Sequence, residues 1–312
     1  MPSWVVGSRD ADARLDAAIA KHLGISVAEA RRLIADGLVR VGGRPAKKGG
    51  RVELGAEIDV RAEVRPGERS FDHSPPPDHD LLLDVVYEDE VLVAINKPAG
   101  VDSHPLRPHD RGTVAHALVA RWPSCAGASL DAREAGLVHR LDRGTTGVLI
   151  AAKGRDAWAA LRHAFGSEEV DKTYWALVEG IVDAPLVIDE PLRTAGGTAR
   201  VDRTSAEARH ALTRVRPLVA GRLRTLVEAT SRTGRMHQIR AHLAHAGHPL
   251  VGDLRYGAGT IEGVPDEALL HARVVSLPHP VDAWKLTISA PLPAARRALV
   301  ERMLGEPLPK DR

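Results

Sequence analysis

Residues 136–153 read GLVHRLDRGTTGVLIAAK, two apolar runs joined by a polar turn in which Gly144, Thr145, Thr146 and Gly147 supply the turn chemistry. Leu137 and Val138 on one side, and Val148 to Ala152 on the other, are expected as strands, because short apolar runs bounded by glycines favour extended backbone. A turn of this kind presents its side chains at a strand end on a rigid scaffold. Here it carries one carboxylate, Asp142, with Arg140 and Arg143 beside it. His139, Arg140, Asp142 and Arg143 could equally make a solvated ion-pair turn, so this segment alone leaves a reactive and a structural reading open.

The same alternation between short apolar runs and turn residues continues through the rest of the chain. Further strands are expected at 85–87, 92–96, 173–178, 223–229, 273–277 and 286–289, with helices at 113–121, 155–165, 236–246 and 294–304. Many connections are shorter than the dozen or so residues a parallel crossover needs. The expected class is therefore α+β, a mixed, mainly antiparallel central sheet with surrounding helices. Ahead of it, residues 14–23 and 27–36 read as two short amphipathic helices, with Leu15, Ile19 and Leu23 on one apolar face and Ala30, Leu33 and Ile34 on the other. Ser26 and Glu29 make a capping box, Gly37 ends the second helix, and short strands with glycine turns follow to Val60. Residues 63–79, with Pro75, Pro76 and Pro77, read as a proline-rich linker. The expected organisation is a small α/β domain at 1–62, the linker at 63–79 and a larger domain at 80–312.

With 312 residues, 44% of them hydrophobic, the chain can bury a sizeable core. Its net charge is only +2, but the distribution is uneven: residues 199–240 carry ten arginines against three acids, and residues 63–93 carry nine acids against two arginines. In the small domain Arg31, Arg32, Arg40, Arg44, Lys47, Lys48 and Arg51 cluster on a helix and turns, where they can track a phosphate backbone. Cys125 is the single cysteine, which excludes an intramolecular disulfide and a cysteine zinc cluster and fits a reducing cytoplasm. No apolar run approaches the roughly 20 residues needed to cross a bilayer, so no membrane role is expected. His237, His242, His245 and His248 are spaced poorly for a metal, with arginine and alanine rather than carboxylates between them. No metal is expected there.

The turn around Asp142 resembles the signature of the RluA family of RNA pseudouridine synthases, His-Arg-Leu-Asp-Arg, any residue, Thr-Ser-Gly. Gly144 departs from it where an acidic residue is common, which loosens the turn, and Thr146 replaces serine but keeps a hydroxyl. Further blocks match in order: NKPAG at 96–100, KTYWALVEG at 172–180, TGRMHQIRAHLAHAGHPLVGDLRYG at 233–257, LLHA at 269–272 and APLP at 290–293. Residues 200–218 match poorly. The small domain resembles the RNA-binding domain named after ribosomal protein S4, in its Arg-Arg-Leu-Ile, Asp-Gly-Leu-Val and Gly-Ala-Glu-Ile-Asp-Val elements.

The resemblance implies a pseudouridine synthase fold and the isomerisation of uridine to pseudouridine in RNA, with 23S large-subunit ribosomal RNA as the first expectation and transfer RNA as the alternative. It makes Asp142 the catalytic carboxylate, Arg240 its cationic partner and Tyr174 the ring against the uracil. Arg140 would fill the position a flipped base vacates, and His139, Arg143 and His237 would contact RNA. An ionised carboxylate in a water-poor pocket does need such a cation, since desolvation raises its pKa and an opposite charge lowers it. Taking a stacked base out of a helix costs a few kcal/mol. The reaction rearranges atoms and gains none, so no redox cofactor, metal or nucleotide is expected. Only 3% of residues are aromatic, so RNA shape and phosphates should dominate recognition. A monomer is expected. The competing readings are a non-catalytic RNA-binding or ribosome-assembly factor, in which Asp142, Tyr174 and Arg240 would have no reason to occur together, and a metal-dependent hydrolase.

Overall fold

The computed structural model describes residues 2–7, 10–23, 25, 27–47, 49–62, 74–106 and 110–310. Ser26, Lys48, the side chain of Glu29 and residues 63–73 of the expected linker lie outside the described residues. The chain forms two compact units, Met1–His73 and Ser74–Arg312.

In the first unit β1 (Ser3–Val5), α1 (Leu15–Leu23), α2 (Val27–Ala35), β2 (Val39–Val41), β3 (Arg44–Pro45) and β4 (Glu57–Val60) form two helices and an antiparallel sheet of order β1-β4-β2-β3. Leu15, Ile19 and Leu23 from α1 meet Ala30 and Ile34 from α2 over Val39, Ile58 and Val60, all buried. The apolar period of the two helices thus closes a core of its own. Asp16 is buried at its edge and accepts from Arg14 at 2.8 Å and Arg31 at 2.6 Å. Hydrogen bonds from Arg14 outweigh burial and hold this carboxyl well below the usual range.

The second unit is built on a nine-stranded sheet. Its elements are β5 (Val85–Glu88), β6 (Leu92–Lys97), α3 (Val114–Arg121), β7 (Thr146–Ala152), α4 (Arg155–Gly166), β8 (Asp171–Glu179), β9 (Leu186–Asp189), β10 (Leu192–Ala195), β11 (Thr198–Val201), β12 (Leu212–Ala220), β13 (Arg224–Ser231), α5 (Gln238–His245), β14 (Leu270–Pro278), β15 (Lys285–Ser289) and α6 (Ala294–Leu304). The sheet order is β5-β6-β7-β14-β8-β13-β12-β9, with β15 also paired to β14, and β10 and β11 form a separate hairpin. All of these pairings are antiparallel except β7 with β14. The period of two along the strands sorts side chains between the faces. On β6, Leu92 and Ala94 join Trp158 and Leu161 of α4, while Val93 and Ile95 join Val114 and Leu118 of α3. Likewise Ala176, Val227 and Ala229 pack on Ile239 and Leu243 of α5, and Trp175, Leu177 and Leu226 pack on Val300 and Leu304 of α6.

Two local expectations need correction. Leu137 and Val138 do not form a strand, because Gly136 turns the chain at φ 77° and the pairing with β7 stops at a single bridge, Leu137 to Ala151. The helix expected from Met236 begins at Gln238, because His237 occupies left-handed backbone at φ 52° and ψ 25°.

Candidate active site

Asp142 sits in a turn that its neighbours hold by the backbone. Thr145 donates its N–H to the Asp142 carbonyl at 3.0 Å, closing the turn. Buried Ser103 brackets the preceding residue: its Oγ donates to the Leu141 carbonyl at 2.8 Å and accepts the Leu141 N–H at 3.1 Å. On the other side Lys97, fully buried, donates through Nζ to the carbonyls of Pro98, Val101 and Arg143 at 2.7, 2.7 and 3.1 Å. Burial pushes that amine down to about 8, so the NKPAG block serves as a clamp on the turn. Gly144 also gives room to a neighbour, since a Cβ there would lie 2.6 Å from Cβ of Glu267 and one of the two would have to shift. Gly147, at φ 110°, passes so close to β14 that a Cβ would meet the Ala272 carbonyl at 2.1 Å. Thr146 Oγ1 lies 2.8 Å from Nδ1 of buried His271, whose Nε2 reaches the Ala290 carbonyl at 3.0 Å.

The cation comes from α5. Gln238, just inside the helix, is buried; its Nε2 donates to the Leu212 carbonyl, Thr213 Oγ1 and Ser231 Oγ, and its Oε1 accepts from Thr233 Oγ1 and the Arg235 N–H. One turn of bonds therefore fastens the start of α5 to β12 and β13. Arg240 then presents its planar fork to two carboxylates. Nε and Nη2 bind Asp253 at 2.7 and 2.8 Å, and Nη1 donates to Asp142 Oδ2 at 2.6 Å. Asp253 is 1% exposed at its side chain, so the bidentate grip fixes the guanidinium and aims its remaining edge at Asp142. The left-handed backbone at His237 turns its ring inward, placing Nε2 3.4 Å from Asp142 Oδ1. Burial would raise the Asp142 carboxyl, but the hydrogen bond from His237 and the charge and hydrogen bond of Arg240 outweigh it and lower it to about 2. Asp142 is a carboxylate at any ordinary pH.

Asp142 opens into a cavity lined by Arg140, Tyr174, Thr233, Arg235, His237 and Leu270 among others. Tyr174 projects from β8 between the α3 and α5 clusters, and burial raises its phenol so that it keeps its proton. Asp142, Tyr174, Arg240, Arg140 and His237 are thus brought to one cavity. The other expected residues are placed elsewhere. His139 stacks on Phe165 with ring centroids 4.7 Å apart and accepts the Ile150 N–H on Nε2 at 3.1 Å, and burial pushes it down to about 3. Its ring packs the interior, which differs from the RNA contact expected of it. Arg143 is exposed and pairs with Asp102 at 3.2 Å. In the first unit Arg32, Arg44 and Lys47 are exposed, Arg40 donates to the Gly43 carbonyl, Arg51 pairs with Asp12, and Arg31 is tied to Asp16.

The histidines do not gather. His242 lies between Thr213 Oγ1 and the Glu190 carbonyl, and His248 Nδ1 reaches the Glu179 carbonyl. Among the described residues no three histidine, cysteine or acidic side chains come together as metal ligands, and no helix is long and apolar enough to cross a membrane. Sequence reasoning missed Asp253, Tyr256 and Ser103. The first two stand in the GDLRYG stretch after α5, where an acid 13 positions beyond Arg240 shares no helix face with it.

The sequence matches the RNA pseudouridylate synthase family over residues 91–245 and the S4 domain over residues 13–58. It is 34% identical to an uncharacterized RNA pseudouridine synthase of Mycobacterium bovis, over 94% of this chain and 95% of that one. It is 32% identical to the ribosomal large subunit pseudouridine synthase D of Escherichia coli, over 94% of this chain and 91% of that one. Among solved structures it resembles the human RNA pseudouridylate synthase domain containing 4, with a TM-score of 0.58 and 25% identity over 73% of this chain and 95% of that one. The chain belongs to the RNA pseudouridylate synthase family, whose members are isomerases.

Proposed function

We propose that the chain isomerises uridines of large-subunit ribosomal RNA, with Asp142 as the reacting carboxylate. The observation that carries the catalytic part is the chain of contacts Asp253–Arg240–Asp142 at the cavity, which keeps one carboxylate ionised and aimed. Asp142 acts on the ribose or the base, as a covalent nucleophile or by helping to detach the base. Tyr174, protonated and on the cavity wall, lies against the uracil and can pass a proton as the base turns and rejoins through ring carbon 5. Arg140, exposed at the rim, fills the space left by the flipped base. The relative in Escherichia coli named for the large ribosomal subunit supports the substrate class.

In this reading Arg31, Arg32, Arg40, Arg44, Lys47, Lys48 and Arg51 meet RNA phosphates, and residues 63–79 link that unit to the catalytic one. The working unit in this reading is a monomer, and a ribosomal RNA substrate sets the place of work in the cytoplasm. Mapping pseudouridines in ribosomal and transfer RNA from cells with and without the gene tests the proposal. The expected result is the loss of one or more large-subunit sites. Loss of transfer RNA sites alone would move the substrate class, and no loss at all would overturn the activity.

A further inference from the structure

We propose that Tyr256 is a positioning residue of this reaction: its hydroxyl holds His237 in the tautomer protonated on Nε2, so that Asp142 faces a second N–H donor beside Arg240. The inference rests on the reading of Asp142 as the reacting carboxylate. Tyr256 ends the short helical turn Leu254–Tyr256, directly after Asp253. Its Oη accepts the Ala199 N–H from β11 at 2.9 Å and lies 3.0 Å from His237 Nδ1. A phenol has one proton to give. Burial raises this phenol, so the proton stays on it, and the acceptor it meets is Nδ1. Of the two groups the hydroxyl meets, the Ala199 N–H can only donate and Nδ1 alone can take its proton; Nδ1 is then bare, and the ring's own proton sits on Nε2, 3.4 Å from Asp142 Oδ1. The opposite tautomer would set a lone pair against a carboxylate.

The two rings meet edge to face, with centroids 5.7 Å apart and planes at 85°, which fixes the imidazole's direction as well as its protonation. The same phenol ring carries the Arg240 guanidinium at 5.0 Å from its centroid. Tyr256 thereby touches both groups that face Asp142, and touches no reacting atom itself. At 3.4 Å the His237 contact is loose, of the kind that tightens when substrate closes a pocket. The charged and titratable groups around His237 are Asp142 and Arg140 from the turn, Tyr174 from β8, Arg235 and Arg240 in its own segment, and Asp253 and Tyr256 from the segment after α5.

Two measurements on the full chain test this. Nitrogen-15 NMR of the histidine rings in the free wild-type protein, with His237 assigned by its loss in His237→Gln, should show the Nε2–H form; an Nδ1–H ring overturns the proposal whatever the turnover. Tyr256→Phe keeps the ring under Arg240 and removes the hydroxyl. Its kcat on RNA should fall about tenfold with KM within about twofold. Combined with His237→Ala, it should cause no further loss. A deficit that is additive with His237→Ala, or absent, would reduce Tyr256 to packing and overturn the proposal. If Tyr256→Phe does not fold, the wild-type spectrum still decides. A wild-type protein inactive on every RNA would instead sink the function, leaving the tautomer result intact.

Discussion

Asparagine at position 142 keeps nearly the size of the side chain and removes the charge that Arg240 and His237 face. Asp142→Asn should abolish pseudouridine formation while RNA affinity stays within about tenfold, read by turnover and by binding on the same RNA. It should also change the acid limb of stability. The carboxyl is lowered on folding from its ordinary 3.8 to about 2, so its contribution is present above about pH 4 and is lost as pH falls through about 2. Melting temperatures across that window should fall more steeply for the wild type than for Asp142→Asn. Arg240→Ala should cripple turnover because Asp142 and Asp253 both lose their guanidinium partner, and Arg240→Lys should rescue it only in part, since a point charge cannot bridge two carboxylates as the fork does. Asp253→Asn should lower kcat by about tenfold or more with KM within about threefold, because the guanidinium loses the charged grip that aims it. Near-normal kcat in that variant would mean that Arg240 needs no such support.

The turn that holds Asp142 is an element made by remote residues. Ser103 both donates to and accepts from the backbone of Leu141, a buried position that neither strand nor helix pairing serves. Ser103→Ala should therefore destabilise the protein by about 1–3 kcal/mol in denaturant titration, and kcat should fall with it, because the turn loses its register against β7. Stability lost without any change in kcat would show that Lys97 alone holds the turn. Elements around the site were unequally legible. β6, β7, β8 and β13 are apolar runs with the strand period and stand close to where the sequence placed them. The strands β9 to β12 were not anticipated. β12 carries Pro217 and the exposed Arg214 and Arg216, and a proline inside a run argues against a strand unless a bulge receives it. The pairing with β13 shifts register between Pro217 and Val219, which is that bulge. β10 and β11 are four residues each, with Leu192 and Ala199 their only fully buried side chains, so no apolar period marks them.

At the scale of the molecule, each unit closes its own core, with Ile19 and Ile58 fully buried in the first and Leu92, Ile150 and Leu161 in the second. Every group around Asp142 belongs to the second unit. Deleting residues 1–62 should leave a folded protein that still isomerises uridine at high RNA concentration. Its affinity for structured RNA and the salt dependence of binding should both fall, because lysines and arginines that meet phosphates release counterions. An unchanged affinity and salt slope on filter binding would assign the first unit to another partner.

The sequence by itself determined the α+β class, because apolar period and turn residues are local properties of the chain, and its blocks HRLDR and HQIR named Asp142 and Arg240 as oppositely charged partners through the family resemblance they carry. How the two side chains meet is tertiary, since 98 residues separate them and the packing of α5 on the sheet closes the distance to 2.6 Å. Tertiary structure alone decided that Asp253 aims the guanidinium, that Ser103 and Lys97 clamp the turn, and that His139 turns inward to Phe165. The physical reason is the same in each case: a buried polar group must find its partner wherever the fold places one, and no spacing along the chain records where that will be.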